Sequence, residues 1–471
     1  MTRGTLARVL LMCVVLALAA GLAREHVRPQ ILIRQADLSR SAQEYSQAID
    51  LYQQLVVLRP LWPMPHVCLG QIYLTQGKLE EAEEDFAIAW ELDAGESLAL
   101  AGLAEIAYHR GDAQRAIDLW RHAIALDPKG SEPRYRLGQT YLELSEFDLA
   151  RQELRQVLGD AQYHQEANYY LGLLAAGDED ADAVEYLRLA VEGEDREISK
   201  RAREMLVLLD DLAASEDDAH VAAHLGRAYL RLDAPSLALT HLKRVVALQP
   251  DNHTARAYMG YALLALDDLD AARDVLRELT QLAPKHPLGH YFLGLLHRSE
   301  GYLPTALWEF KKSLETDPSN AAVYAEIADT YQRMGQHVSA GEWYRAATEV
   351  EPDEAGFLIL LAQYYVDVLP RAEEGLAAAR QAAVAAPDNA VAQDLLGWAF
   401  YLAGKQAQAV GPLEQAIALD PDFARAYYHL GVVYAQLGQE ADAKQAYQRA
   451  IDIDTSGEYR QRAMAGLGST E

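Results

Sequence analysis

Small and large residues recur along the chain with a period of about 34 positions. Four prolines mark this period, because Pro250, Pro284, Pro318 and Pro352 are each 34 residues apart. Counting position 1 three residues after each proline divides most of the chain into twelve segments, which begin at residues 29, 63, 97, 131, 165, 219, 253, 287, 321, 355, 390 and 424. Gly or Ala stands at position 8 of all twelve, which indicates a repeated structural unit.

The last segment shows how one unit is predicted to fold. Tyr427, Leu430 and Tyr434 have helical spacing, so they lie on one face of a first helix. After a short polar turn, Ala443 and Tyr447 lie on the facing side of a second helix. Small residues at positions 8 and 20 allow the two backbones to approach closely, and large residues fill the gaps. Proline at position 32 of eight segments ends the second helix, because proline lacks an N–H group and clashes within a helix.

This order of residues resembles the tetratricopeptide repeat. The motif reads Y-x2-L-G-x2-Y over residues 427–434 and A-x3-Y over residues 443–447. Where the family usually has Trp at position 4, this segment has Tyr427, and most others have another residue. The resemblance covers residues 29–457 and implies an all-α solenoid, a right-handed superhelix of helix–turn–helix hairpins. Their first helices would line a concave groove, and neighbouring hairpins would share one core.

The pattern predicts five parts of the chain. Units one to five occupy residues 29–197, and units six to twelve occupy residues 219–457. Between them, residues 198–218 fit no unit and are predicted to form a single helix at a hinge, or alternatively a degenerate repeat within an unbroken stack. Residues 458–471 are predicted to form a capping helix and tail. The unit that begins at 355 has one residue too many near Pro370.

The fifth part, residues 1–28, is predicted to be a signal peptide or a single transmembrane anchor. A basic start precedes the uncharged, mostly apolar run Val9–Ala23. As a helix this run would span only about 22 Å, less than the roughly 30 Å hydrocarbon core of a bilayer. Cleavage and retention therefore both remain open. We expect the bulk of the chain to lie outside the cytoplasm, held at a membrane or exported, rather than in the cytoplasm.

Charge and cysteine content narrow the classes of partner. The 471 residues carry a formal net charge of -28, with an isoelectric point near 4.9. Such a chain repels phosphate backbones, so we expect no nucleic-acid partner. The only cysteines are Cys13 and Cys68, which excludes a disulfide framework or a cysteine-rich metal site.

No catalytic motif is present in the sequence. It contains no G-x-S-x-G, G-x-x-x-x-G-K-[ST], G-x-G-x-x-G or H-E-x-x-H. The repeats also leave no block long enough for a separate catalytic domain. His220 and His224 lack an evident third ligand, and the turn with Asp178, Asp180 and Asp182 lacks the glycine and glutamate of a calcium loop. We therefore predict no catalytic residue, metal or cofactor, and no enzymatic activity.

The resemblance also implies where a partner would bind. In this family, positions 2, 5, 9 and 12 of the first helices tend to face the groove. The candidate groove residues are Tyr108, Tyr135, Gln139, Tyr169, Tyr291, Tyr401 and Tyr428. Tyrosine offers flat apolar area with a hydrogen-bonding tip, which suits a peptide or protein partner. Alternatively, several of these tyrosines pack between helices. No lysine stands at position 5, which argues against the carboxylate clamp of some family members.

The expected function is a non-enzymatic scaffold or adaptor that binds peptides or proteins in its groove. One alternative is a regulatory or assembly subunit of an envelope synthesis or secretion complex, which would have one stable partner. Another is an enzyme with an unrecognised site in the groove. The sequence predicts neither the identity of the partner nor an oligomeric state.

Overall fold

The computed structural model describes residues 28–160, 163–454 and 457–469, and every regular element in these ranges is helical. The predicted all-α repeat fold is confirmed. The predicted signal or anchor segment lies outside the described residues, except for Arg28. The chain forms two compact units, one made of the residues up to Pro128 together with those from Asp388, and the other of Lys129–Pro387.

The first unit begins with three helical hairpins. Their helices are α1 (Arg28–Ser41), α2 (Tyr45–Leu58), α3 (Pro63–Thr75), α4 (Leu79–Leu92), α5 (Ser97–His109) and α6 (Ala113–Leu126).

The second unit contains seven hairpins and one helix without a hairpin partner, α11. Its helices are α7 (Ser131–Glu143), α8 (Phe147–Asp160), α9 (Gln165–Gly177), α10 (Ala183–Val191), α11 (Arg196–Leu212), α12 (Asp218–Arg231), α13 (Pro235–Leu248), α14 (His253–Ala265), α15 (Leu269–Leu282), α16 (Pro287–Ser299), α17 (Leu303–Thr316), α18 (Ala321–Arg333), α19 (His337–Val350), α20 (Ala355–Gln363) and α21 (Ala372–Ala385). A π-helical turn, Tyr364–Val368, follows α20. It accommodates the extra residue of this repeat, because a π-helical turn holds one residue more than an α-helical turn.

The chain after Asp388 completes the first unit with two further hairpins and a final helix. These elements are α22 (Ala390–Leu402), α23 (Gln406–Leu419), α24 (Ala424–Gln436), α25 (Glu440–Ile453) and α26 (Glu458–Ser469). The first helices of all twelve repeats therefore begin within one residue of the starts counted from the sequence.

Position 15 of the repeat reverses the chain between the two helices of a hairpin. The residue there has a positive φ in eleven of the repeats, as in Gly438 with a φ of 76°. Glycine adopts this left-handed conformation without a steric penalty, which is why it is frequent after helices. The position-15 residues with positive φ are Gln43, Gly77, Gly111, Ser145, Glu179, Asp233, Asp267, Gly301, Gly335, Gly404 and Gly438.

Within a hairpin, the small residue at position 8 lies under the large residue at position 24. A Cβ atom added to Gly431 would lie 2.6 Å from Cδ1 of Tyr447, and one added to Gly294 would lie 2.4 Å from Cε1 of Phe310. Both distances are shorter than a van der Waals contact, so the bulky side chain occupies the space that the glycine leaves. This contact sets the close spacing of the two helices and explains the periodic pattern of the sequence.

The helix outside the regular pattern, α11, is anchored to the preceding hairpin. Gln165 Nε2 donates hydrogen bonds to the Ala190 carbonyl at 2.8 Å and to Ser199 Oγ at 3.1 Å. The repeat after α11 also packs against that hairpin, because the Tyr229 hydroxyl donates to the Leu173 carbonyl at 2.8 Å. The hinge near residues 198–218 remains a prediction. None of the helices in the described ranges combines the length and the apolar character needed to cross a bilayer.

Candidate partner-binding face

The first helices of the last two repeats hold a buried ionic cluster. Asp394 on α22 is fully buried, and its Oδ1 lies 2.7 Å from Nδ1 of His429 on α24. Its Oδ2 lies 2.7 Å from Nε of Arg425, also on α24. A buried carboxylate requires such partners, since an unpaired charge in the protein interior is strongly destabilising. The cluster therefore fixes α22 and α24 relative to each other.

Aromatic rings surround this ionic cluster. The His429 ring stacks on Trp398 with centroids 4.1 Å apart, and Trp398 stacks on Tyr401 at 4.5 Å. Tyr428 lies 5.7 Å from the His429 ring and 5.8 Å from Tyr459 of the final helix. Tyr401 and Tyr428 are only half-buried. Two predicted groove tyrosines thus belong to one aromatic surface with the half-buried Trp398, and the buried His429 packs against Trp398 and Tyr428.

In the second unit, Tyr135 and Tyr169 belong to a more deeply buried aromatic group. The Tyr135 ring lies 5.1 Å from His164 and 6.3 Å from Tyr170, which in turn lies 5.3 Å from Tyr169. Burial raises the pKa of Tyr135 and the pKa of Tyr169 above the usual tyrosine value. The Tyr169 hydroxyl is buried without a hydrogen-bond partner among the described residues. Both rings pack between helices in this structure.

A third group on the first helices lies between α16 and α18. Tyr291 is half-buried, with its ring 6.1 Å from Phe310, and burial raises its pKa. About two turns further along α16, Arg298 pairs with Glu326 and with Asp329 of α18, the latter at 2.8 Å. Burial raises the pKa of Glu326 although Arg298 opposes this effect. A charged pair thus borders an aromatic patch on this face.

Contacts within each compact unit join some of the seven candidate residues. Tyr401 and Tyr428 are joined through Trp398 and His429, and Tyr135 is joined to Tyr169 through Tyr170. The other three candidates lie elsewhere, with Tyr108 against Trp120 at 5.8 Å, Tyr291 against Phe310, and Gln139 3.4 Å from an Arg136 nitrogen. Their role in binding remains a prediction.

Sequence reasoning missed the cluster of Asp394, Arg425 and His429. These residues occupy positions 5, 2 and 6 of consecutive first helices. The sequence pattern that could have indicated this cluster is a set of ionisable residues at neighbouring positions in the first helices of adjacent repeats. That pattern becomes specific only when the distances between the helices are known.

The residues considered for a metal site have structural partners. No group of three or more His, Cys, Asp or Glu side chains comes close enough to share a metal ion within the ranges that the structure describes. The His220 and His224 rings lie in contact, with centroids 4.3 Å apart. Asp178 pairs with Arg151, and Asp180 accepts a hydrogen bond from the backbone of Asp182 at 3.1 Å. The absence of a metal, a cofactor and a catalytic site remains a prediction.

Family models agree with the repeat geometry. Models described as tetratricopeptide repeat or TPR repeat match residues 69–131, 107–177, 229–296, 321–354, 397–438 and 424–455. These matches together cover more than half of the chain. The chain belongs to the tetratricopeptide repeat (TPR) family.

Curated relatives of this TPR protein are distant and longer. It is 23% identical over 314 residues to "Protein CTR9 homolog" of Arabidopsis thaliana, a match that covers 64% of this chain and 27% of that protein. It is 26% identical over 331 residues to a "TPR repeat-containing protein" of Treponema pallidum, which covers 62% of this chain and 38% of that protein. The chain therefore spans well under half the length of either relative.

Solved structures with a similar architecture include two that align over almost the entire TPR chain. The Cut9–Hcn1 hetero-tetramer of APC/C is 16% identical, with a TM-score of 0.40, and the match covers 94% of this chain and 96% of that one. Yeast Tom70 is 16% identical, with a TM-score of 0.39, and the match covers 94% and 95% of the two chains.

Proposed function

We propose that this TPR protein is a non-enzymatic scaffold that binds a peptide or protein partner on the face formed by its first helices. The observation that carries the proposal is the surface of Trp398, Tyr401 and Tyr428, which packs on the buried pair of His429 and Asp394. Protein-binding hot spots are typically aromatic and arginine-rich and have little conformational freedom to lose on binding. The half-buried tyrosines offer apolar area and a hydroxyl to a partner at low entropic cost.

The partner is expected to meet this surface already formed. Stacking of Trp398 between Tyr401 and His429 leaves these rings little freedom, and the ion pairs of Asp394 hold α22 against α24. A preorganised surface gains affinity because few side chains must be immobilised on binding. This argument favours the last two repeats over Tyr135 and Tyr169, which are buried.

The decisive experiment is site-specific photo-crosslinking in native membranes and extracts. A photo-reactive phenylalanine analogue is placed at Tyr401 or Tyr428 in the full chain, and captured peptides are identified by mass spectrometry. We expect both positions to capture the same protein or proteins. One stable partner would identify the chain as a subunit of an envelope synthesis or secretion complex, whereas several clients would identify a general scaffold.

Matched controls come from the second helices of the same repeats. Gln408 on α23 and Lys444 on α25 are exposed and lie outside the aromatic surface. The same analogue at these positions is expected to capture the partner weakly or not at all. Equal capture from Gln408 and Lys444, or capture of nothing but the chain itself, would contradict the proposal. Turnover of a substrate by the purified protein would instead support an enzyme.

We also propose that residues 1–28 carry the protein to a membrane, as a retained anchor or a cleaved signal, with the repeats outside the cytoplasm. Support comes from the apolar run Val9–Ala23 behind a basic start. The test compares the full chain with a variant lacking residues 9–23. We expect the full chain in carbonate-washed membranes or in the exported fraction, and the variant in the cytosol. Recovery of the intact full chain from the cytosol would contradict this proposal.

A further inference from the structure

A basic cleft interrupts the acidic surface where the repeat pattern breaks. On α11, Arg196, Lys200 and Arg203 recur at intervals of four and three residues, so they lie on one helix face. On α12, four basic residues recur at intervals of four, three and four. These residues are His220, His224, Arg227 and Arg231. Two neighbouring helices of a chain with a net charge of -28 therefore each carry a basic stripe.

The two stripes meet in an open cleft of about 620 Å³. Lys200, Arg203, Glu204 and Val207 of α11 line it together with Arg231 of α12. All five side chains are exposed, and Val207 keeps 62% of its surface accessible. The cleft thus offers three cationic groups, one carboxylate and one apolar side chain to a ligand.

The cations of the cleft are not neutralised by ion pairs. Neighbouring arginines are paired, since Arg201 lies 3.1 Å from Glu197 and Arg244 lies 3.0 Å from Asp218. No carboxylate oxygen in the described part of the chain lies within 4.0 Å of the charged nitrogens of Lys200, Arg203 or Arg231. Only Glu204 contributes negative charge to the lining, so the cleft keeps a net positive charge.

A titratable group beside the cleft responds to this charge. The pKa of His224 is lowered by burial and then by the positive charges of Arg227, His220 and Arg231. The three basic neighbours all act in the same direction on this imidazole. Arg227 and Arg231 therefore add positive charge beside the cleft, which would attract an anionic ligand.

We propose that this cleft binds an acidic segment of a protein partner, with two or three carboxylates on Lys200, Arg203 and Arg231 and an apolar side chain on Val207. This inference rests on the proposed function, in which a partner binds on the first helices. The basic stripe of α12 occupies positions 2, 6, 9 and 13 of such a first helix. Arginine binds carboxylates through two parallel hydrogen bonds, which gives such a site geometric specificity. A nucleic acid fits less well, since three cations form no extended track for a phosphate backbone and the whole chain repels a polyanion.

The test uses the full chain and a short fluorescein-labelled peptide in which Glu and Asp alternate with Leu. A counterpart with Gln and Asn at the acidic positions serves as the neutral probe. We expect the acidic peptide to bind more tightly than the neutral one, with an affinity that falls as salt is added. In the double variant Arg203→Gln, Arg231→Gln, we expect the affinity to fall about tenfold, because two partly exposed ion pairs are lost.

The double variant Lys243→Gln, Arg277→Gln is the matched control. Both residues are exposed on second helices, on α13 and α15, and the control removes the same number of positive charges. We expect its affinity for the acidic peptide to match that of the parent. Far-ultraviolet circular dichroism and melting of both variants should also match the parent, because all four residues are exposed.

Several outcomes would overturn the proposal. These are equal binding of the acidic and neutral peptides, an equal loss in both double variants, and an oligonucleotide that binds through Arg203 and Arg231 when the peptide does not. If peptide binding fails while Tyr401 and Tyr428 still capture a partner, only the basic cleft is refuted. If both experiments fail, the proposed scaffold function is refuted as well.

Discussion

At the residue scale, the repeat depends on space left open at single positions. Gly431 and the other position-8 glycines are required because a ring or a branched side chain from position 24 occupies the volume of their missing Cβ atoms. Where position 8 is Ala36 or Ala104, the packing accommodates the methyl group, and both alanines are fully buried. Position 24 is a tyrosine both in the repeat of Gly431 and in that of Ala36, where it is Tyr52. The choice between Gly and Ala therefore depends on the local fit of the ring and not on the identity of the residue at position 24.

Replacing Gly431 with Ala tests how closely the Tyr447 ring fits against this position. The new methyl group would overlap the Tyr447 ring, so we expect a local destabilisation of about 1–3 kcal/mol, typical of an overpacked core. Native-state hydrogen exchange of α24 and α25 measures it, because repeat arrays do not unfold in a single two-state step. Unchanged exchange in these helices would show that the ring has room to move.

Gly411→Ala is the control for helix propensity. Gly411 lies inside α23, and a Cβ atom added there has no neighbour within 4 Å. Because alanine is the better helix former, we expect this variant to be as stable as the parent or more stable, by up to about 1 kcal/mol.

At the element scale, some hairpins are linked by a polar contact between positions 4 and 23. His66 lies 2.6 Å from Asp85, and His290 lies 2.7 Å from Glu309. In the hairpin of α7 and α8, Arg134 lies 3.3 Å from Glu153. The same two positions carry an ion pair or a hydrogen bond in each case, so the contact ties a first helix to its own second helix.

The pair of His290 and Glu309 predicts a pH-dependent stability. The hydrogen bond to Glu309, followed by that to the Pro284 carbonyl at 2.9 Å, raises the pKa of His290. The stabilisation that protonated His290 provides is complete below the unfolded-state pKa of about 6.5. It is lost as the pH rises through the folded-state pKa of His290. We therefore expect His290→Gln to destabilise α16 and α17 more at about pH 5.5 than at about pH 8.5. The stability of these helices is measured by hydrogen exchange corrected for intrinsic rates. An equal loss of stability at both pH values would be evidence against this pairing.

His241 on α13 provides a control of opposite sign. Burial lowers its pKa to about 4, and its ring lies 5.4 Å from Tyr229. In the unfolded chain, His241 binds a proton more readily than it does in the folded protein. The parent protein therefore loses stability as the pH falls from about 6.5 towards the folded-state pKa of His241. We expect His241→Gln to reduce this acid sensitivity in α12 and α13. The same acid sensitivity in the variant would assign the effect to other groups.

At the scale of the molecule, the first unit brings together repeats that are far apart in sequence. Arg449 on α25 donates hydrogen bonds to the Ala42 carbonyl and to Gln43 Oε1, both at 2.9 Å. Ser46 of α2 donates to Asp452 Oδ1 at 3.1 Å. These hydrogen bonds link the first repeat directly to the last one, in addition to the packing of each repeat against its neighbours in sequence.

Arg449→Ala tests this long-range attachment. Loss of both hydrogen bonds should destabilise the contact by about 1–3 kcal/mol and speed hydrogen exchange in α2 as well as in α25. The control is Arg462→Ala, because Arg462 is half exposed and its ion pair with Glu458, at 3.0 Å, and its contact with the Tyr459 ring, at 5.4 Å, both lie within the final helix. An effect of Arg449→Ala confined to α25 would mean that the two repeats are not coupled.

The candidate site could be predicted only in part from the sequence. Helical periodicity placed Tyr401 and Tyr428 on first helices, where the structure joins them through Trp398 and His429. The ionic cluster around Asp394 and the cleft beside Arg231 were missed. Both depend on distances between side chains of different helices, and such distances depend on how those helices pack.

The sequence by itself determined the period, the pairing of helices into hairpins and the boundaries of nearly every first helix. These features follow from local physics, because proline ends a helix, glycine permits the turn, and a small residue opposite a large one recurs with each unit. Tertiary structure alone decided which polar groups meet, where α11 attaches, and that Arg449 reaches Gln43 in the first repeat. Those contacts depend on small displacements and rotations added from one repeat to the next, which no single repeat encodes.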